Sequence, residues 1–268
     1  MYPLIRLTNS LELPTYFVII SATYVLATIW LVRRTERAHL SRQVALDLAL
    51  AIMIGGFIGS RVFHIVFEQP SLYWQNPQMI LEFWHGGFVF YGGAVGAALA
   101  TAMVFFKKRM APWIWFDIFA PLFPFGYGLG RLGCFLAGCC FGRDCPYPWA
   151  VRFPPGVEAP AHVAIHPTQL YAAAWELTVL GLLLLLERTV RGHAQSLPPK
   201  VLPFVRPGYL LFSWGILHSL GRIGMESFRA DFRGHFFFGF SPATWMSIGI
   251  LLGCLCTVFY RSRGREQS

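Results

Sequence analysis

Charge is what this chain has least of: 13% of its 268 residues are Asp, Glu, Lys or Arg, while 55% are hydrophobic and the mean hydropathy is +0.51. A soluble globular domain carries about a quarter charged residues, so that class is excluded. Other absences narrow the field further. No tandem repeat, low-complexity stretch or separate polar domain interrupts the chain. None of the six cysteines forms a C-x-x-C pair, which counts against a thiol oxidoreductase. No cleavable signal peptide is expected, because Glu12 precedes the first apolar run and the positive charges follow it.

What is present is apolar sequence in lengths that suit a bilayer, which takes about 20 residues per helix. Such runs fall at 16–32, 44–67, 87–106, 113–135, 168–186, 208–228 and 241–260, the fourth and sixth being the least uniform. The expected fold is therefore an all-α integral membrane protein, a single polytopic domain over 1–268 with seven transmembrane helices. Arg33, Arg34, Arg37 and Arg42, Lys107 to Arg109, Arg188 to Arg206 and Arg261 to Arg265 all follow alternate spans. By the positive-inside rule those loops and the C-terminus are cytoplasmic and the N-terminus is outside. The net charge of +9 is thus a topology signal, and no nucleic-acid partner is expected.

The remaining eight basic residues are all arginine: Arg6, Arg61, Arg131, Arg143, Arg152, Arg222, Arg229 and Arg233. They fall on the outer side or within spans. Arginine holds phosphate as a planar fork with several donors, whereas lysine is a point charge, so the bias points to an anionic ligand near the outer face. For Arg6, Arg152 and Arg233 the plainer expectation is a side chain that reaches out to lipid headgroups.

Ionisable groups at membrane depth cost roughly 2.5 to 3.5 kcal/mol each at a helix centre, so the buried ones locate the chemistry. At 100° per residue, His218, Arg222, Glu226 and Arg229 sit within about 80° of one another around a helix, a polar stripe on an apolar cylinder. The alternative is an Arg-Glu pair that only fixes helix packing. In the fourth span Gly126, Gly128, Gly130 and Gly133 surround Arg131 and allow a helix or headgroup to approach closely. Gly128, Gly130 and Gly133 spell G-x-G-x-x-G, but in a membrane span rather than at a strand-to-helix turn, so no nucleotide site is expected. A second glycine-rich segment, from Trp84 through His85, Gly86, Gly87 and Tyr91 to Gly93, opens the third span, and His166-Pro-Thr-Gln-Leu-Tyr171 opens the fifth.

Cys134, Cys139, Cys140 and Cys145 cluster at the outer end of the fourth span, where an oxidising compartment favours at least one structural disulfide. Their C-x4-C-C-x4-C spacing is not that of a zinc knuckle, so no metal is expected. Cys254 and Cys256 read as packing residues.

Together these motifs resemble the prolipoprotein diacylglyceryl transferases of bacterial plasma membranes. The resemblance covers nearly the whole chain and rests on Gly86-Gly-x-x-x-Tyr91-Gly-Gly93, Gly130-Arg131-x-Gly133, His166-Pro-x-Gln169-Leu-Tyr171 and Gly221-Arg222-x-x-x-Glu226-x-x-Arg229. It implies a multi-pass enzyme of the inner membrane with its active site toward the periplasmic face and no cofactor. The implied reaction moves the diacylglyceryl group of phosphatidylglycerol to the lipobox cysteine thiol of a preprolipoprotein signal peptide, releasing glycerol phosphate. The expected catalytic set is Arg131, Arg222, Glu226, Tyr91, His85 and His166. Arg131, Arg61, Gly86, Gly87, Gly130, Gly142, Arg143, Gln169 and Arg229 are expected to hold substrate, with membrane lipids as further partners. The sequence departs from the family signature where Cys134, Ala137 and Cys139 replace two asparagines and a glutamate, and Tyr91 stands where a histidine is common. A divergent paralogue with another acceptor, or a non-catalytic lipid-binding or transport protein, are the alternatives.

Overall fold

The computed structural model describes residues 3–6, 12–82, 86–192, 206–231 and 238–263. A short hairpin, β1 (Leu4–Arg6) against β2 (Glu12–Pro14), leads into α1 (Thr15–Arg37). Then come α2 (Arg42–Phe63), whose end loosens into a π turn at His64–Glu68, the short α3 (Pro70–Gln75), and α4 (Phe90–Lys108). The rest is α5 (Pro112–Phe119), α6 (Leu122–Ala137), α7 (Thr168–Gly192), α8 (Tyr209–Glu226) and α9 (Pro242–Arg263).

Helix occupies every one of the seven apolar runs, but not uniformly. Five stretches are long and apolar enough to cross a membrane: Thr15–Arg37, Arg42–Glu68, Phe90–Lys108, Thr168–Gly192 and Pro242–Ser262. The fourth run is broken at Ala120 and Pro121 into α5 and α6, and the sixth, α8, is short and carries His218, Arg222 and Glu226. Proline lacks the amide that would continue the helix, which explains the break. Along the long helices large apolar side chains such as Leu99, Phe106, Leu185 and Tyr260 stand exposed, as suits helices whose solvent is lipid.

The chain divides into two compact units, one comprising Met1–Ile29 with Trp113–Ser268 and the other Trp30–Pro112. In the second unit α2 packs along α4. The contact is glycine on glycine: Gly55 and Gly59 from α2 face Gly96 and Gly92 from α4, so closely that a Cβ at Gly59 would strike the Gly92 carbonyl. This is the small-xxx-small solution for helices that cannot gain from expelling water. Gly59→Leu should therefore lower the melting temperature of the detergent-purified protein, an overpacking cost of about 1–3 kcal/mol. Gly249→Leu, where an added Cβ meets nothing within 4 Å, should leave it in place.

In the first unit α6 packs on α7, α7 on α8, and α8 on α9. A core of Ala120, Val179, Leu183 and Leu210, flanked by Trp175, Trp214 and Leu217, joins them. The start of α8 is tied down by Asp117 of α5, whose carboxylate accepts from the amides of Gly208 (2.6 Å) and Leu210 (2.9 Å). Between α6 and α7 the chain folds on itself through bridges Asp144–Ile165, Val151–Ile165 and Phe153–Ala161, over a small core of Phe153, Ala159 and Ile165.

Candidate active site

Three arginines gather in the first unit. The Arg131 guanidinium donates to Tyr127 Oη (2.6 Å) one helical turn away and lies over that ring at 4.7 Å. Arg222 pairs with Glu226 at 2.9 Å across one turn of α8, both side chains largely buried. Just past α8, Arg229 grips Asp231 with two parallel hydrogen bonds, Nε to Oδ1 (2.8 Å) and Nη2 to Oδ2 (2.5 Å). Each of the three lies within electrostatic reach of the other two. Two of them have carboxylate partners. Among the described residues the hydrogen-bond partner of Arg131 is a phenol and not a carboxylate.

The surroundings hold this cluster in place. His218, on the same stripe of α8, turns to α7, where its Nδ1 lies 2.6 Å from Glu176 Oε1. Its ring stacks on Trp214 and meets the Tyr127 ring edge-on at 5.0 Å. A polar line, buried at Glu176 and half-buried beyond it, thus runs Glu176, His218, Tyr127, Arg131. Glu176 and Tyr127 are functional candidates that the sequence reading passed over, though a carboxylate inside an apolar run was signal enough for Glu176. At the far side, Gly142 bridges to Arg229, and the Arg143 amide donates to the Phe228 carbonyl at 2.9 Å. The Arg143 guanidinium is exposed, lying over the Phe228 ring at 5.7 Å. Gly142 is buried against the His166 backbone, where no side chain fits. A Cβ added at Gly133 would press on Tyr16 of α1 and one at Gly128 on Leu177 of α7, whereas Gly126 and Gly130 have room for one, so helix packing calls for glycine at only two of the four positions.

Outside the helices two charges respond to this setting. Burial pushes the Glu158 carboxyl above the usual carboxylate range, with nearby Asp231 adding to it and Arg229 opposing. Burial pulls Arg229 down, but its hydrogen-bonded partner Asp231 outweighs that and holds the guanidinium charged.

His166 is buried in a ring cage of Tyr147, Tyr171 and Phe228, with Nδ1 3.2 Å from Tyr171 Oη. Gln169 is 1% exposed and donates to the Cys139 carbonyl at 2.7 Å, while Thr168 donates to that of Cys140. The other expected residues belong to the second unit. There Arg61 is buried and all its donors go to carbonyls of its own unit: Met79 (2.5 Å), Gly86, Gly87 (3.3 Å), Glu82 (3.4 Å) and Ile80 (3.5 Å). Gly87 has φ +79 and presses against Arg61 and His64, so glycine is required there. Tyr91 is exposed and touches Phe90 edge-on. His85 lies outside the described residues.

The cysteines depart from expectation. None forms a disulfide; Cys134, Cys139, Cys140 and Cys145 all carry free thiols. Instead the sulfurs of Cys134, Cys139 and Cys140 lie within 4.8 Å of one another. The helix ends at left-handed Gly138, and Cys140 is itself left-handed (φ 59), which folds the pair back under Cys134. Spacing alone could not show this, because it carries no turn geometry.

A sequence profile of the prolipoprotein diacylglyceryl transferase family matches residues 3–260. The chain belongs to that family. Among the prolipoprotein diacylglyceryl transferases it resembles, the phosphatidylglycerol–prolipoprotein diacylglyceryl transferase of Nitrosomonas europaea is 30% identical over 91% of this chain and 84% of its own length. The enzyme of that name from Clostridium tetani is 26% identical over 88% of each chain. Transferase 2 of Clostridium perfringens is 28% identical over 96% of this chain and 95% of its own. Family membership and the five long apolar helices make this a membrane-integral protein.

Proposed function

We propose that this enzyme transfers the diacylglyceryl group of phosphatidylglycerol to the lipobox cysteine thiol of a preprolipoprotein. It would act as a seven-span inner-membrane protein with its N-terminus and active site on the periplasmic side. The observation that carries the reading is Arg131: a guanidinium in a membrane protein with no carboxylate partner among the described residues, beside two further arginines. A phosphodiester is the anion such a group suits. The relatives' names supply phosphatidylglycerol and prolipoprotein as substrates.

In this reaction the thiolate attacks a glycerol carbon, a C–S bond forms and the C–O bond to phosphate breaks, the electron pair leaving on the phosphate. Charge on the leaving group grows from that of a diester to that of a monoester, so cations fixed around it favour the transition state over the ground state. Arg131 and Arg222 hold the phosphate, Glu226 and Tyr127 orient them, and Arg229, fixed by Asp231, closes the headgroup side. Rescue of a bacterial strain depleted of its own diacylglyceryl transferase tests donor and acceptor together. Growth with lipidated lipoproteins is expected; correct insertion with no lipidation would refute the acceptor.

A further inference from the structure

The three-sulfur cluster takes no part in the reaction as described so far. We propose that Cys134, Cys139 and Cys140 form a three-thiolate site for a zinc ion whose fourth position is left for the acceptor thiol of the substrate. The second half of this rests on the proposed function; the first half does not.

Distance comes first. Zinc binds thiolate at about 2.3 Å, so sulfurs around a tetrahedral ion stand roughly 3.8 Å apart. The three sulfurs lie within 4.8 Å of one another, and closing onto an ion needs side-chain adjustments of about 1 Å or less. The backbone beneath them is already fixed. Cys139 N donates to the Cys134 carbonyl (3.1 Å), Gln169 to the Cys139 carbonyl (2.7 Å) and Thr168 to the Cys140 carbonyl (3.1 Å). Such outer partners orient ligands and are part of a metal site's affinity.

Charge comes second. Three thiolates on a divalent ion leave one net negative charge, costly in a low-dielectric setting unless matched. Arg131 interacts electrostatically with Cys134 and Cys140, and Arg229 with Cys140. The same guanidiniums that suit a phosphodiester therefore also balance the site.

Ligand count comes third. Structural zinc sites are closed by four protein ligands, whereas reactive sites keep three and an open position. Among the described residues no fourth cysteine, histidine or carboxylate joins the group; Cys145 stands apart from it, and His166 Nδ1 is engaged with Tyr171. What the open position would do follows from the acceptor. A free thiol with pKa near 8.5 is mostly protonated at neutral pH, and a thiol that coordinates a metal is deprotonated outright. The acceptor S–H would lose its proton to water at the aqueous face as its sulfur binds zinc. That sulfur then forms the C–S bond while the C–O bond to phosphate breaks, and the thioether product, a weaker ligand, leaves. The sum is thiol plus phosphatidylglycerol giving thioether, glycerol phosphate and a proton, with no oxidant or reductant.

The test uses full-length protein purified in lipid-free detergent without chelator. Mass spectrometry of the metals should find stoichiometric zinc in the unmodified protein and in Cys145→Ser, and its loss in Cys134→Ser and Cys139→Ser of unchanged size-exclusion profile. Cobalt(II) reconstitution should give a sulfur-to-cobalt charge-transfer band. A lipobox peptide should alter that band, while the same peptide with serine for cysteine should not. Transfer should fall by about tenfold or more on removing the metal and return with zinc. Absence of both zinc and the cobalt band, a disulfide joining any two of the three cysteines under purification in reductant, or full transfer by metal-free protein would overturn the proposal and leave the proposed function intact. A cobalt band that responds to the peptide in a protein that never transfers labelled lipid would uphold the thiol-binding metal site and sink the transfer reading instead.

Discussion

Replacing Arg131 with lysine should lower transfer by about two to three orders of magnitude, the usual loss when a fixed donor to a developing oxyanion is removed. The charge survives this change, so the loss isolates geometry: a guanidinium presents two parallel donors to a phosphate, and an ammonium does not. Tyr127→Phe, which removes only the hydroxyl that Arg131 donates to and keeps the ring beneath it, should cost less. Arg188→Lys, distant in sequence and outside the stripe, serves as the control. Release of labelled glycerol phosphate from phosphatidylglycerol in mixed micelles measures all three. Near-normal turnover by Arg131→Lys would remove this residue from the phosphate site.

The second large effect concerns Arg222 and Glu226. Their 2.9 Å contact joins two largely buried side chains on one face of α8. Breaking such a pair by removing one member costs about 3–5 kcal/mol, because the other charge is left without its partner in a poor solvent. Glu226→Ala and Arg222→Met should each lower the melting temperature sharply, and the double variant should be less damaged than the sum. A thermodynamic cycle with coupling near zero would show that each residue answers to other neighbours instead.

Long apolar runs are written directly in composition, which is why helix stands at each of the seven expected places. The break at Ala120 and Pro121 left a trace in the uneven fourth run, and the polar stripe of α8 was legible from its 100° period. Partners across the fold were not. His218 shares its stripe with Arg222 and Glu226 yet pairs with Glu176, 42 residues earlier. Arg61 reads as a ligand from its residue type and place in the chain, but its donors meet carbonyls of its own unit. The free thiols differ from the expected disulfide for a related reason: a compartment argument favours a disulfide, while two left-handed residues gather three sulfurs that spacing keeps apart. Sequence periodicity reports which face a residue occupies, and packing decides what it meets there.

Asp117 acts at a distance from all of this. Its carboxylate holds the amides at 208 and 210, and Arg222 lies twelve residues further along the same helix, about 18 Å at 1.5 Å per residue. A slip of α8 by one residue against that anchor would turn the arginine by about 100° as well as shifting it by 1.5 Å. The aim of the guanidinium is thereby indexed from the opposite end of the helix, like a key whose bit is set by its shoulder. Changes near position 117 should consequently misdirect the chemistry without touching a single group that performs it.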